Sequence, residues 1–270
     1  MPEVGRADVV LAARGLARSR TDAAALIRAG QVLADGTPVR RPAQPVGPGV
    51  ELALVDDGPR YVSRAAHKLV SALAAFPDVA VAGRRALDAG ASTGGFTQVL
   101  LERGAAPVVA VDVGHDQLAA EIRADERVIV HEGLNVRDLT AAHTGGLVEL
   151  VVSDLSFISL RLVVGALAGV CAPDADLLLM VKPQFEVGRT ALPRTGVVTD
   201  PSARRRAVTD VVAAAHRAGL EATGVARSGL PGQDGNVEFF LRLRAAASPS
   251  TDDAAGHAER LCTAQAVDWG

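Results

Sequence analysis

The sequence predicts an α/β protein: a largely parallel sheet with helices on both faces, preceded by a small α+β unit. Three observations predict it. From Ser63 onward, short apolar stretches alternate with amphipathic ones, the pattern of strands buried on both faces and of the helices that cover them. Asp56-Asp57-Gly58-Pro59 is a polar, breaker-rich link that divides residues 1–60 from 61–245. Apolar residues make up 49% of the 270-residue chain, enough for one sizeable core and a small one.

In the small unit, Ala7 to Ala13 and Thr21 to Ala29 read as short helices, the second capped by Thr21 and closed by Gly30. Val32 to Gly36 is a strand running into an Asp-Gly turn, and Val50 to Val55 is another. In the large unit, Ser63 caps a helix reaching Phe76. Strands follow at Ala86–Asp88, Val108–Asp112, Val128–His131, Val148–Asp154, Leu177–Lys182, Ala222–Arg227 and Val237–Leu243. Helices fall at Gly95–Arg103, near Leu118, at Leu162–Val170 and at Ser202–Ala218. Residues 246–270 are rich in Ala, Ser and Asp and read as a frayed tail.

Net charge is −3, so the chain as a whole is no electrostatic nucleic-acid binder, and any such contact needs a local patch. Cys171 and Cys262 are far apart and unpatterned, which argues for a reducing compartment and against a zinc site or disulfide framework. The first residues form no signal-peptide apolar region, and no run of about 18 apolar residues occurs. The expectation is a soluble, cytoplasmic protein with no bound metal and no membrane partner; nothing in the sequence chooses between monomer and dimer.

Leu87 through Phe96 closes the first strand of the sheet and opens a helix, with glycines at 90, 94 and 95. The next strand ends in Asp112. Glycines let a ligand approach backbone, and an acid ending the second strand can accept both hydroxyls of a ribose. The spacing is not that of a dinucleotide loop, and no phosphate-binding lysine follows, so a nucleoside without phosphates fits better. S-adenosylmethionine is the common ligand of that kind. The bland alternative is a tight turn and a solvated aspartate.

Of the 28 basic residues, two are lysines, Lys68 and Lys182, and the remaining twenty-six are arginines. Lysine is compact and can lose its proton when desolvated, whereas arginine stays charged. A retained lysine therefore marks a candidate for chemistry, against the alternative of a surface residue left by chance. Lys182 ends the fifth strand before Pro183, and Asp154 ends the fourth, so both belong to the carboxyl edge of the sheet, where such sheets bind ligands. Glu238 lies on the last strand; alone it reads as a solvated strand end.

With the glycine loop, Lys68, Asp154, Lys182 and Glu238 resemble the Lys-Asp-Lys-Glu tetrad of FtsJ-type ribose 2′-O-methyltransferases, in the same chain order. The resemblance is closer to the TlyA group, called hemolysins or rRNA methyltransferases, and covers nearly the whole chain. It rests on Arg18-Ser19-Arg20, Val62 to Leu69, Asp88 to Phe96, Ser153 to Ser159, Lys182 to Gly188 and Gly235 to Phe240. Residues 1–60 resemble the S-four RNA-binding domain. The resemblance implies a Rossmann-like class I methyltransferase fold, S-adenosylmethionine as cofactor, and ribosomal RNA or ribosomal subunits as partner. It also implies cytidine 2′-hydroxyls in both subunit RNAs as substrate, with an effect on peptide antibiotics that bind there.

By the same resemblance, Lys68, Asp154, Lys182 and Glu238 are catalytic. Asp88, Gly90, Ser92, Gly94, Phe96, Asp112, Asn135 and Asp154 line the cofactor, with Asn135 near the adenine. A ribose hydroxyl holds its proton at neutral pH, so the enzyme must align two groups and manage one proton. Lys182 is the candidate to take or steer it; the alternative is a lysine that stays charged and orients the hydroxyl.

Arg6, Arg14, Arg18 and Arg20 are the candidate RNA contacts of the small unit, whose eight arginines face seven acids. Phe157, Phe185, Phe239 and Phe240 neighbour the proposed site; one can stack on an extruded base, though core packing is the default for each. The long connection from Pro183 to Asp200 has the character of a lid or substrate grip, with Arg189 and Arg194 available to phosphates. Competing readings are a membrane-active hemolysin, a non-catalytic RNA-binding or ribosome-assembly protein, and a methyltransferase of small molecules or proteins.

Overall fold

The computed structural model describes residues 4–17, 19–28, 30–54, 61–232, 234–245, 254–264 and 267–270. The chain divides into two compact units, 1–60 and 61–270. The expected link at Asp56–Pro59, the end of the expected strand at Val55 and the candidate Arg18 lie outside the described residues.

The small unit packs the helices Ala7–Ala13 and Arg20–Arg28 around a core of Leu11, Ile27, Val32 and Val46. Thr21 was expected to cap the second helix, but it lies inside it, and the Oγ of Ser19 accepts from Asp22 N at 3.1 Å. Val32–Ala34 pairs antiparallel with Thr37–Pro38 and with Leu52–Leu54. Asp35 and Gly36 both carry positive φ, as the two-residue hairpin between those strands requires.

The large unit holds a seven-stranded sheet of β1 (Ala86–Ala89), β2 (Val108–Asp112), β3 (Val128–Glu132), β4 (Val148–Ser153), β5 (Cys171–Val181), β6 (Leu220–Arg227) and β7 (Phe239–Ala245). The spatial order is 6-7-5-4-1-2-3, with β7 antiparallel to both its neighbours and the other pairings parallel. Alternate residues of each strand serve opposite faces. Leu178, Met180 and Phe240 pack with Leu69 and Leu73 of α1 (Ala66–Ala75) and Val99 and Leu100 of α2 (Gly95–Glu102). Leu177, Leu179 and Phe239 pack on the other face with Val208, Val211 and Val212 of α3 (Pro201–Arg217).

Several boundaries differ from expectation, among them two that carry candidate site residues. Ser63 caps a turn rather than the helix, its Oγ accepting from Ala65 N at 3.1 Å, and α1 starts at Ala66. Glu238 precedes β7 instead of lying within it. The expected frayed tail differs more. A helix α4 (Ala254–Ala264) packs on α3, and Trp269 lies 4.9 Å from Phe239 between ring centroids. Arg204 donates to the carbonyls of Trp269 at 2.6 Å and Gly270 at 3.0 Å. An aromatic anchor and two carbonyl acceptors hold what composition alone would leave loose.

Candidate active site

The strand order reverses between β1 and β4, and open α/β sheets bind ligands in the crevice outside the carboxyl ends of the strands at such a point. On one side of it, the glycine loop follows β1. Gly90 has φ +89°, and a Cβ there would sit 3.1 Å from Leu155 Cδ2 and 3.4 Å from the Asp154 carbonyl, so both conformation and space demand glycine. Ser92, with φ +48°, is exposed, and its N–H donates to Asp112 Oδ2 at 2.8 Å. Gly114 N donates to Asp112 Oδ1 at 2.7 Å. The carboxylate that ends β2 thus holds the loop after β1 through the Ser92 amide and its own following turn through the Gly114 amide.

Asp88 is wholly buried and accepts from Thr97 Oγ1 at 2.7 Å, while its Oδ1 is buried with no partner. Burial pushes its carboxyl up to about 7, against the lowering effect of the Thr97 hydrogen bond. Such a buried group supports the loop instead of lining its open face. Phe96, expected along the cofactor, has its ring in the core instead, 6.2 Å from Phe240 in a stacked arrangement. Asn135 caps the turn Val136–Asp138, its Oδ1 accepting from Arg137 N at 3.0 Å.

On the other side, the four tetrad residues meet. Lys182 directly follows β5, and its Nζ lies 2.7 Å from Asp154 Oδ1 and donates to Ser156 Oγ at 2.8 Å. Lys68, on α1, lies 3.9 Å from Asp154 Oδ2 and donates to Glu238 Oε2 at 2.6 Å. Glu238 Oε1 accepts from Gln184 Nε2 at 3.2 Å. The antiparallel β7 explains how Glu238 arrives: Phe239 pairs with Val181, so the residue before β7 stands at the carboxyl edge of β5. Lys68, Lys182 and Glu238 are 6%, 7% and 2% exposed. Two cations and two anions alternate, each charge beside an opposite one, which is how buried charges are tolerated.

The residues match known proteins over both units. A family model of FtsJ-like methyltransferases covers residues 61–245, and one of the S4 domain covers residues 5–52. The chain belongs to the FtsJ-like methyltransferase family. Its sequence is 56% identical over 245 residues to the 16S/23S rRNA (cytidine-2′-O)-methyltransferase TlyA of Mycobacterium tuberculosis, covering 90% of this chain and 91% of that one. Hemolysin A of Brachyspira hyodysenteriae is 32% identical, with 88% of this chain and 99% of that one covered. The solved structure of a candidate hemolysin from Streptococcus thermophilus is alike at a TM-score of 0.73 and 36% identity, over 98% of this chain and 96% of that one.

Within this FtsJ-like frame, the aromatic candidates separate. Phe239 and Phe240 are fully buried core residues, whereas Phe157 is 91% exposed at φ +63° and lies 5.2 Å from the Phe185 ring. The long connection after β5 is fastened at its far end: Val198 N donates to Asn236 Oδ1 at 3.0 Å, and Asn236 Nδ2 donates to Gly196 O at 2.9 Å. Arg189 and Arg194 are exposed. Ser156, Gln184 and Asn236 touch this machinery, and the sequence offered them only as members of matched blocks.

In the S4 unit, Arg6 and Arg20 share a buried partner. Arg6 Nε and NH2 each donate to Asp8 at 3.0 Å, and Arg20 NH2 lies 3.5 Å from Asp8 Oδ2. Asp8, Arg20, Thr21, Ala24 and Arg28 line an open depression of about 350 Å³. Arg14 is committed to the Val50 and Pro48 carbonyls at 2.6 and 3.2 Å, so it splints its own fold as well as presenting charge. Among the described residues, no helix is long and apolar enough to cross a membrane, and no group of three His, Cys, Asp or Glu could hold a metal.

Proposed function

We propose that this chain transfers a methyl group from S-adenosylmethionine to the 2′-hydroxyl of cytidine riboses in small- and large-subunit ribosomal RNA, and so sets sensitivity to ribosome-binding peptide antibiotics. The observation that carries the reading is the buried Lys182–Asp154–Lys68–Glu238 relay at the carboxyl edge of the sheet, across from a glycine loop braced by Asp112.

The cofactor fits the residues present. Gly90 lets the glycine loop approach Asp154 and Leu155 more closely than a Cβ would allow, which sets that loop beside the carboxyl end of β4. Each oxygen of Asp112 takes one backbone N–H, and a carboxylate oxygen has a second lone pair for a ribose hydroxyl. Asn135 would serve the adenine with its amide N–H groups, its oxygen being used on Arg137 N. When bound, S-adenosylmethionine supplies a methyl already activated by its sulfonium. The chain's task is then alignment and one proton. Lys182 Nζ would receive the proton of the ribose hydroxyl as a neutral amine, or steer it as an ammonium, with Asp154 beside that nitrogen and Lys68–Glu238 beside Asp154. Arg6 and Arg20, pre-oriented by Asp8, would meet phosphates, and Phe157 would stack on the extruded base.

The test is methyl transfer from labelled S-adenosylmethionine to isolated ribosomal subunits, followed by alkaline hydrolysis. Label in an alkali-resistant dinucleotide supports ribose methylation; label released with mononucleotides moves the methyl to a base. The hemolysin names of relatives favour a second reading, membrane activity. Leakage of dye-loaded vesicles at nanomolar protein would support it.

A further inference from the structure

The loop after β4 is gripped along its length by the segment after β5, and of these contacts only Lys182–Asp154 belongs to the tetrad. At its start, Lys182 Nζ reaches both Asp154 Oδ1 at 2.7 Å and Ser156 Oγ at 2.8 Å. At its middle, the Phe157 ring lies 5.2 Å from that of Phe185. At its end, Ser159 Oγ donates to Glu186 Oε2 at 2.5 Å and Leu160 N donates to Glu186 Oε1 at 2.7 Å. Glu186 is itself buried, and Arg161 returns to its carbonyl at 3.0 Å. Between the two polar anchors stands Phe157 in the left-handed region, a conformation that persists in a bulky residue only when its surroundings over-determine it. The loop is therefore held in one shape, and that shape delivers the Ser156 hydroxyl to Lys182.

We propose that Ser156 is a positioning residue for methyl transfer, acting through Lys182, with Glu186 anchoring the loop that carries it. A lysine nitrogen has three directions besides its own carbon. Asp154 Oδ1 lies 2.7 Å away as an ion pair without hydrogen-bond geometry, so it attracts the nitrogen without directing it. The directed bond is the one to Ser156 Oγ. One directed bond sets the rotation about Cε–Nζ and with it the remaining directions. Without Ser156 the nitrogen turns about that bond, and the direction meant for the ribose hydroxyl is filled only part of the time. Misdirected reacting groups cost rate rather than ground-state binding. Ser156 is exposed while Lys182 is buried, so the hydroxyl stands on the solvent side of the lysine.

This inference rests on the methyltransferase reading, and the experiment separates the two. Steady-state transfer to ribosomal subunits is compared for the unaltered enzyme, Ser156→Ala and Ser156→Thr, with cofactor affinity by calorimetry and melting temperature alongside. The expected result is a kcat roughly tenfold or more lower for Ser156→Ala, with KM for the subunit and cofactor affinity within about twofold. Ser156→Thr, which keeps the hydroxyl, recovers most of the rate. Equal kcat for Ser156→Ala and the unaltered enzyme overturns the proposal. So does a loss confined to KM or cofactor affinity, or a threonine variant as slow as the alanine one. Absence of transfer by the unaltered enzyme contradicts the parent reading and takes this one with it.

Discussion

The two walls of the crevice are built by different means. The glycine-loop wall is made of backbone: positive-φ residues at 90, 92 and 94 and amides turned onto one carboxylate, Asp112. The lysine wall is made of side chains from α1, the ends of β4 and β5, and the start of β7, spread over residues 68 to 238. Backbone geometry is a local property, and its proposed task is to hold the cofactor. A side-chain relay is a long-range property, and the proposed task of its charges is to act on a reacting proton. The walls should accordingly fail in different ways, one in binding and the other in rate.

The largest effect belongs to the lysine wall. Lys182→Arg keeps the charge but replaces a compact nitrogen with a planar fork that cannot take a proton, and transfer should fall by about 10³-fold, within the usual range for general acid–base groups. Single-turnover kinetics with labelled cofactor measures it; a loss under tenfold would remove Lys182 from proton handling. Next comes the opposite wall. Asp112→Ala frees the Ser92 and Gly114 amides and should lower cofactor affinity roughly tenfold or more, with the rate at saturating cofactor changed only a few-fold. A rate defect that saturation does not cure would break the distinction between the walls.

A smaller effect is expected in the S4 unit. Arg20→Ala removes one exposed guanidinium beside Asp8, so RNA affinity should drop several-fold and the slope of log affinity against log salt by about 1. Titrations at three salt concentrations check it. The last effect is read in stability and concerns the support of the glycine loop. Asp88 has its folded-state carboxyl raised by burial from 3.8 to about 7. A raised carboxyl contributes stability below its unfolded value and loses it as pH rises through the folded one. The stabilising contribution of Asp88 is therefore full below about pH 4 and gone above about pH 7, and Asp88→Asn lacks that decline. The melting temperature of the variant relative to the unaltered protein should rise between pH 5 and pH 8; a constant difference would contradict the burial argument.

What could be read in advance divides along the same line. Gly90, Gly94 and Asp112 were legible because a strand, a glycine loop and a strand-ending acid lie within a short stretch. The scarcity of lysine singled out Lys68 and Lys182, and Asp154 and Lys182 were legible as strand ends, but joining all four tetrad residues took the family resemblance. Roles that depend on which way a side chain faces stayed hidden. Phe96 turns into the core, Asn135 spends its oxygen on a turn, and Ser19 takes the cap expected of Thr21. The ordered end of the chain was foreshadowed by one feature, the single tryptophan of the protein, Trp269, in a stretch otherwise poor in large apolar residues. Ser156 and Glu186 needed coordinates, since nothing in their spacing shows that one loop is tied to one segment at both ends.

The most direct measurement is cofactor titration by calorimetry on Lys182→Arg, the variant chosen for its lost transfer. Affinity within about twofold of the unaltered enzyme is the predicted result, since the glycine-loop wall is intact and each wall has its own task. Cofactor affinity that collapses together with transfer would contradict it, and would make Lys182 a cofactor-binding group.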